Sequence, residues 1–160
     1  MQVRRYEIGE EHELWLLFHN TIRNVNTRDY TEEQVRVWAP NTVDPEKWRR
    51  RMEGINPFVC VEGGVIVGYS DVQESGLIDH FFVHHEHQRR GVGSLLMRAI
   101  HEEAERLELD QMHSHVSLTA RPFYEAHGFH VEKEQEVEDG GLTFRNFLMR
   151  KRLDLDPPAF

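Results

Sequence analysis

Between residues 88 and 94 the chain reads Gln88-Arg89-Arg90-Gly91-Val92-Gly93-Ser94. Two glycines two residues apart let a chain turn tightly and bring backbone N–H groups close to a ligand. The stretch that follows has helical apolar spacing, and a helix start offers unpaired N–H donors and the positive end of its dipole, to which Arg89 and Arg90 add formal charge. These features describe a cradle for a pyrophosphate. Taken alone, two glycines fit a plain strand-to-helix turn with solvated arginines equally well. A dinucleotide fingerprint needs a third glycine where Leu96 stands, and a phosphate loop of the Walker kind needs Gly-Lys-Ser/Thr, so both of those nucleotide readings fail on residue type.

A second constellation lies downstream, from Ser117 through Thr119-Ala120-Arg121-Pro122-Phe123-Tyr124-Glu125 to Gly128-Phe129. Thr119 fits an N-cap, Pro122 sits in the first helical turn, and Gly128 fits a left-handed helix end with Phe129 folding back. Phe123 and Tyr124 lie about 100° apart on a helix, so they cannot both face a core. Tyr124 either packs with its hydroxyl on a carbonyl or faces a cleft. Two titratable residues adjoin on the segment before the glycine turn, Asp79 and His80. A carboxyl group in a half-buried strand can be raised toward neutrality, which suits a base; the alternative for Asp79 is an ion pair with a neighbouring arginine. The histidines of His84-His85-Glu86-His87 and His113-Ser114-His115 have spacings that metal sites use, but without cysteine partners they read as surface histidines, and no metal is expected.

The elements that must position these residues follow from periodicity and punctuation. Gln2 to Glu7 is an opening strand, and Leu14, Leu17, Phe18, Thr21, Ile22 and Val25 form the apolar stripe of a helix ending near Asn26. Thr31-Glu32-Glu33-Gln34 is a capping box opening a short helix stopped at Pro40, and Asp44-Pro45 starts another that runs to about Gly54. The period then changes to that of strands: Phe58–Glu62, a Gly63-Gly64 turn, Val65–Val72, a turn at residues 74–76, and Leu77–His84 are three antiparallel neighbours. The helix from Gly93 carries Leu95, Leu96, Ala99, Ile100, Ala104 and Leu107 on one face. A strand over Met112–Ser117, a helix over Ala120–His127, and a pair Val131–Glu138 and Leu142–Met149 hinged at Gly140-Gly141 complete the chain. Strand, long helix, strand is a crossover, so Leu77–His84 and Met112–Ser117 are expected to run parallel. The fold class is α+β, or mixed α/β, not a helix bundle.

The chain has 160 residues, 39% of them apolar and 29% charged, which suits one compact domain, folded over about residues 1–151 with 154–160 as a frayed tail. No apolar run approaches the length of a membrane span, and residues 1–6 lack a signal peptide's apolar core, so a cytoplasmic protein is expected. The single cysteine, Cys60, reads as core packing. A net charge of −9 has the wrong sign for wrapping nucleic acid and suits an amine-bearing partner.

The strand ending in Phe82-Val83, the motif Gln88-x-x-Gly91-x-Gly93 opening a long helix, the next strand, and Phe123-Tyr124-Glu125-x-x-Gly128-Phe129 together resemble the GNAT superfamily of acetyl-coenzyme A dependent N-acetyltransferases. The strong match covers Leu77–Phe129, and the element order up to about Arg150 is compatible. The segment from Tyr30-Thr31 to Trp38-Ala39 also looks like that of small single-domain bacterial members.

The resemblance implies a central mixed, mostly antiparallel sheet with helices on both faces, and a V-shaped opening between the two parallel strands. It further implies that backbone groups of Phe82 and Val83 bind the pantetheine arm and acetyl carbonyl, and that the amides of Gln88, Arg89, Arg90, Gly91, Val92, Gly93 and Ser94 hold the pyrophosphate. Tyr124 matches the tyrosine that protonates the departing thiolate, and Asp79 or His80, or a water, takes the proton of the amine. The helical amino-terminal segment lines the acceptor side in such proteins, which implicates Tyr30 and Trp38, although aromatic residues there also serve as core. The expected activity is acetyl transfer from acetyl-coenzyme A to a primary amine by direct attack, with a homodimer as a further expectation. The competing reading is a coenzyme A binding or sensing module without turnover.

Overall fold

The computed structural model describes residues 1–153; the expected frayed tail, residues 154–160, lies outside them. The elements are β1 (Gln2–Arg5), α1 (Glu11–Asn24), a 3-10 turn (Asn26–Arg28), α2 (Glu32–Trp38), α3 (Pro45–Ile55), β2 (Phe58–Glu62), β3 (Val65–Ser70), β4 (Phe81–Val83), α4 (Val92–Arg106), β5 (Gln111–Ser117), α5 (Arg121–Ala126), β6 (His130–Asp139) and β7 (Leu142–Arg152).

Helix ends form where the residue types demand them. Thr31 and Gln34 make the reciprocal capping box of α2, and the Asp44 carboxylate accepts from the amides of Glu46 and Lys47 ahead of α3. The α5 end closes as a Schellman motif: the Phe129 amide donates to Tyr124 C=O at 3.0 Å and the Gly128 amide to Glu125 C=O at 3.1 Å. Its other end departs from expectation. Ala120, not Thr119, is the N-cap, and its amide donates to the Ser117 hydroxyl at 3.0 Å.

The strands form two antiparallel sheets, ordered β1-β2-β3-β4 and β5-β7-β6. The parallel contact expected between Leu77–His84 and Met112–Ser117 shrinks to one bridge, Leu77 to His113, with the Ile78 amide on His113 C=O and the His113 amide on Gly76 C=O. Two side chains explain the shortening. The buried Asp71 carboxylate accepts from the amides of His80 (2.6 Å) and Asp79 (3.3 Å), so the ladder between β3 and the 77–80 segment gives way to side-chain bonds. The Ser114 hydroxyl donates to Ile78 C=O at 2.7 Å, where the next parallel rung would lie. Beyond that point β4 and β5 splay apart. Phe81, Phe123 and Tyr124 fill the base of the gap, with Phe81 ring centroids 5.1 and 5.9 Å from the other two.

Helices α1–α3 bury Leu14, Trp15, Phe18, Ile22, Trp48 and Met52 against Tyr69 and the first sheet, whereas α4 packs Val92 and Leu96 on Cys60 and Val67 of that sheet and joins Met97 and Ile100 to Tyr124 of α5, Phe129 and the second sheet. The α4 seam is rotated from the expected one: Val92 and Met97 are buried, and Leu95, Ala99 and Leu107 only partly so. Cys60 is fully buried, and burial pushes its thiol up.

Candidate active site

A cleft of about 1040 Å³ opens between the splayed strands. That exceeds the usual volume for one drug-sized ligand, so a nucleotide-bearing molecule and a second substrate have room together. One arm runs along β4 to the start of α4; the other lies under α1–α3 and the β6–β7 hairpin.

The first arm is built from main chain. Register fixes which groups it offers. The His84 amide donates to Val67 C=O and the Asp71 amide to His80 C=O, so by antiparallel alternation Phe82 pairs with Tyr69 through both of its main-chain groups. Those of Phe81 and Val83 therefore face away from β3, into the cleft. The expected role of the Phe82 backbone thus passes to its neighbours, while the Phe82 ring packs on Phe18 and Tyr69. The Val83 carbonyl is already taken, by the Thr21 hydroxyl at 3.0 Å and the Gln88 amide side chain at 2.7 Å, so Val83 offers its N–H alone. Gln88 acts here as a brace between β4 and the turn.

In the turn, Arg89 and Gly91 have positive φ, +60° and +86°, and main-chain amides beside such residues form a concave anion nest. Gly91 caps α4 without a side-chain bond, α4 has no acidic residue in its first turn, and no group of the described residues accepts from the amides of residues 91–94. Four free donors at a helix start fit a pyrophosphate. The two glycines serve different needs. A Cβ on Gly91 would meet nothing within 4 Å, so conformation alone selects glycine there; a Cβ on Gly93 would stand 2.8 Å from the Phe123 ring. Gly93, Ser94 and Arg89 line the cleft; Arg90 does not, and the Val92 side chain is buried beneath it.

Tyr124 lines the cleft and is 3% exposed. Burial pushes its phenol above the usual range, the Ser114 hydroxyl pulling the other way, so the group is protonated at neutral pH.

The second arm is built from side chains. His80, 6% exposed, sits among Phe18, Trp48, Tyr69 and Phe82. Arg51 Nε donates to its Nε2 at 3.0 Å. Because an arginine can only donate, Nδ1 carries the proton and donates to the Tyr69 hydroxyl at 2.9 Å. Burial lowers His80 to about 4, which keeps it neutral. Asp79 is exposed, not half-buried, and Arg51 Nη2 contacts its Oδ2 at 3.1 Å. This is the ion pair that was the alternative to a base.

Tyr30 is buried, with its hydroxyl donating to Arg145 C=O at 2.5 Å and accepting from the Leu118 amide at 3.0 Å. Its ring and Trp38 meet edge to face at 5.5 Å, and both line the cleft. Trp48 is core, its indole N–H on Glu11 C=O at 2.7 Å. Two buried polar atoms in the cleft wall have no partner, Thr119 Oγ1 and Asn146 Oδ1. Arg51, Thr21, Ser114 and Asn146 were not legible as site residues: Arg51 stands in the charged run Arg49-Arg50-Arg51, and only its place on α3 distinguishes it. Among the described residues no three histidine, cysteine or acidic side chains converge as a metal would require.

Splayed edge strands, a nest at a helix start and a protonated phenol between them give the cleft room and donors for a nucleotide-bearing molecule. The acetyltransferase (GNAT) domain family model matches residues 26–153, and the chain belongs to that family, the acetyl-coenzyme A dependent acyltransferases. It is 31% identical over 150 residues, covering 94% of this chain and 95% of the relative, to YafP, an uncharacterized N-acetyltransferase of Escherichia coli K12. Among solved structures, a GCN5-related N-acetyltransferase from Rhodopseudomonas palustris superposes with a TM-score of 0.90 at 26% identity over 95% of each chain. The acetyltransferase yncA of Salmonella typhimurium, solved with acetyl-CoA, shares the fold at 0.70 and 20% identity, over 100% of this chain and 96% of that one. No helix among the described residues is long and apolar enough to cross a membrane.

Proposed function

We propose that this protein acetylates a primary amine by direct attack, with acetyl-coenzyme A and the amine held in the cleft at once. The observation that carries the reading is the splay of β4 from β5, which leaves free donors at the start of α4 at one end and the Tyr124 phenol in the wall. The cofactor supplies the activated thioester carbonyl when bound. Amides of residues 91–94, with Arg89 beside them, hold the pyrophosphate; the outward main-chain groups of Phe81 and the Val83 N–H meet the pantetheine arm and the carbonyl. A donor fixed in place stabilises charge developing on that oxygen without having to reorganise.

As the new N–C bond forms and the C–S bond breaks, Tyr124 gives its proton to the departing sulfur, and the proton shed by the acceptor nitrogen restores the phenol. The earlier loss of the ammonium proton goes to water, because Asp79 and His80 are both engaged by Arg51. Tyr30 and Trp38 wall the acceptor side, where the unpartnered Asn146 oxygen supports binding of an N–H group. The reading extends to a cytoplasmic enzyme, supported by composition, and to a second copy as partner, which light scattering in solution checks.

Thiol release from acetyl-coenzyme A with a panel of amines tests the proposal. Amine-dependent release with a mass gain of one acetyl group on the amine is expected. Cofactor binding without release under any amine points to a sensing module; no cofactor binding removes both. Asp79→Asn resolves the base: retention of the acidic limb of the kcat/KM profile is expected, and its disappearance returns Asp79 to that role.

A further inference from the structure

A guanidinium presents five N–H donors on two edges that each match a carboxylate. In Arg51 one edge is spent: Nε donates to His80 and Nη2 to Asp79. Nη1 has no partner among the described residues, and with the second N–H of Nη2 it forms the other edge. The side chain is 52% exposed and lines the cleft.

The support behind this arginine is unusual for a surface charge. His80 is buried and held neutral, and because Arg51 can only donate, its Nε2 accepts while its Nδ1 gives its proton to the Tyr69 hydroxyl. A buried neutral histidine whose one outward lone pair meets an arginine fixes where the guanidinium lies. Asp79 fixes its rotation about that bond. Two supports on one edge cost side-chain entropy for a charge that water would solvate anyway, so fold stability gives little reason for them. Aiming the free edge gives one. With Asp79 offsetting the charge, the fork recognises by shape more than by field.

We infer that Arg51 is a specificity-determining residue that binds an anionic oxygen group, a carboxylate, carried by the amine acceptor. The inference rests on the acetyl-transfer reading for the identity of the second arm, and it narrows the acceptor to amines that also bear a carboxylate. Arg51 does not touch the reacting atoms; it sets which amine reaches them.

The test measures binding, which does not depend on turnover. With the protein saturated in coenzyme A, Kd is measured by calorimetry for a set of L-amino acids, each against its own α-carboxamide. Wild type is expected to prefer at least one acid over its amide by about tenfold, the worth of a charge-assisted bidentate pair. Arg51→Gln keeps an N–H for His80 but lacks the fork, and should bring that ratio near one; Arg51→Lys keeps the charge and should retain only part of it. Melting temperatures of both variants show that they fold. Equal affinity for acid and amide across the set, no binding of any acid, or a preference that survives in Arg51→Gln overturns the inference. A preference present in Kd with no acetyl product from any amine overturns the proposed function and leaves the carboxylate site standing.

Discussion

The two arms of the cleft are built from different material. The donor arm, from β4 through the nest to the start of α4, presents main-chain groups to the cleft, and its side chains serve chiefly to brace or to stay out of the way: Gln88 ties Val83, Val92 is buried, and Gly93 makes room for Phe123. The acceptor arm presents side chains drawn from α3, β7, the 77–80 segment and the loop before α2, and Arg51, His80 and Tyr30 among them are pinned by partners far away in sequence. Tyr30, for instance, bonds Arg145 and Leu118. A main-chain site can be upset only through backbone shape and close approach, so it suits a ligand that does not vary. A side-chain site changes with single substitutions, so it is where one member of a family differs from another.

Where the arms meet, Tyr124→Phe should have the largest effect. The ring still fills its place, cofactor affinity is expected to hold, and kcat should fall by about 10²-fold or more where chemistry limits the rate. Unchanged turnover would make a water the proton donor.

Next comes Gly93→Val. Its added atoms must displace the Phe123 ring, so acetyl-coenzyme A affinity should fall by about tenfold, in the range of one lost charge-assisted contact, and the melting temperature should fall with it. Gly91→Ala adds no clash and imposes only a positive-φ cost of about 1–2 kcal/mol. Calorimetry on the pair separates space from conformation, and equal affinity in all three proteins would break the account of the nest.

Tyr30→Phe should act on the other arm. Losing a hydroxyl that serves two partly buried main-chain groups should cost about 1 kcal/mol of stability and raise the acceptor KM, while the Kd for acetyl-coenzyme A stays put. A matching loss in cofactor affinity would show the arms to be one unit.

The smallest effect is a slope with pH. Burial raises Asp71 to about 6 and lowers His80 to about 4. Asp71 binds its proton more tightly when folded, so its contribution is present below 3.8, the ordinary carboxyl value, and is lost as pH rises through about 6. His80 has the opposite sign: its contribution is present above 6.5 and is lost as pH falls toward about 4. The two offset each other between these limits. Asp71→Asn removes the first, so its melting temperature should fall more steeply than that of wild type from pH 6.5 to 4. Parallel curves would remove the Asp71 shift from the account, and a variant curve flat from pH 6.5 to 4 would remove the His80 shift.

The glycine turn and the helix start after it were legible because they are nearly continuous in sequence. Gly91, Gly93 and the helix after them lie within one stretch, and their chemistry is that of any backbone in that shape. Capping boxes, hairpin turns and the Gly128 helix end were legible for the same reason. Phe82 was misassigned because which main-chain groups face a cleft depends on register with β3, which no local pattern carries. The shortening of the 77–84 strand has a similar origin: Asp71, eight and nine residues away, takes the amides that a ladder would have used. Asp79 and Arg51 are 28 residues apart on different elements, and a charge in a basic run gives no sign that it will meet a buried histidine.

The central claim is that amine and thioester meet directly, with both held by one cleft. Initial rates with acetyl-coenzyme A and the best amine found, each varied at several fixed levels of the other, test it most directly. The account predicts intersecting double-reciprocal lines. Parallel lines, with acetyl retained on the protein when the amine is withheld, would mark a ping-pong route through an acetyl-enzyme and contradict it.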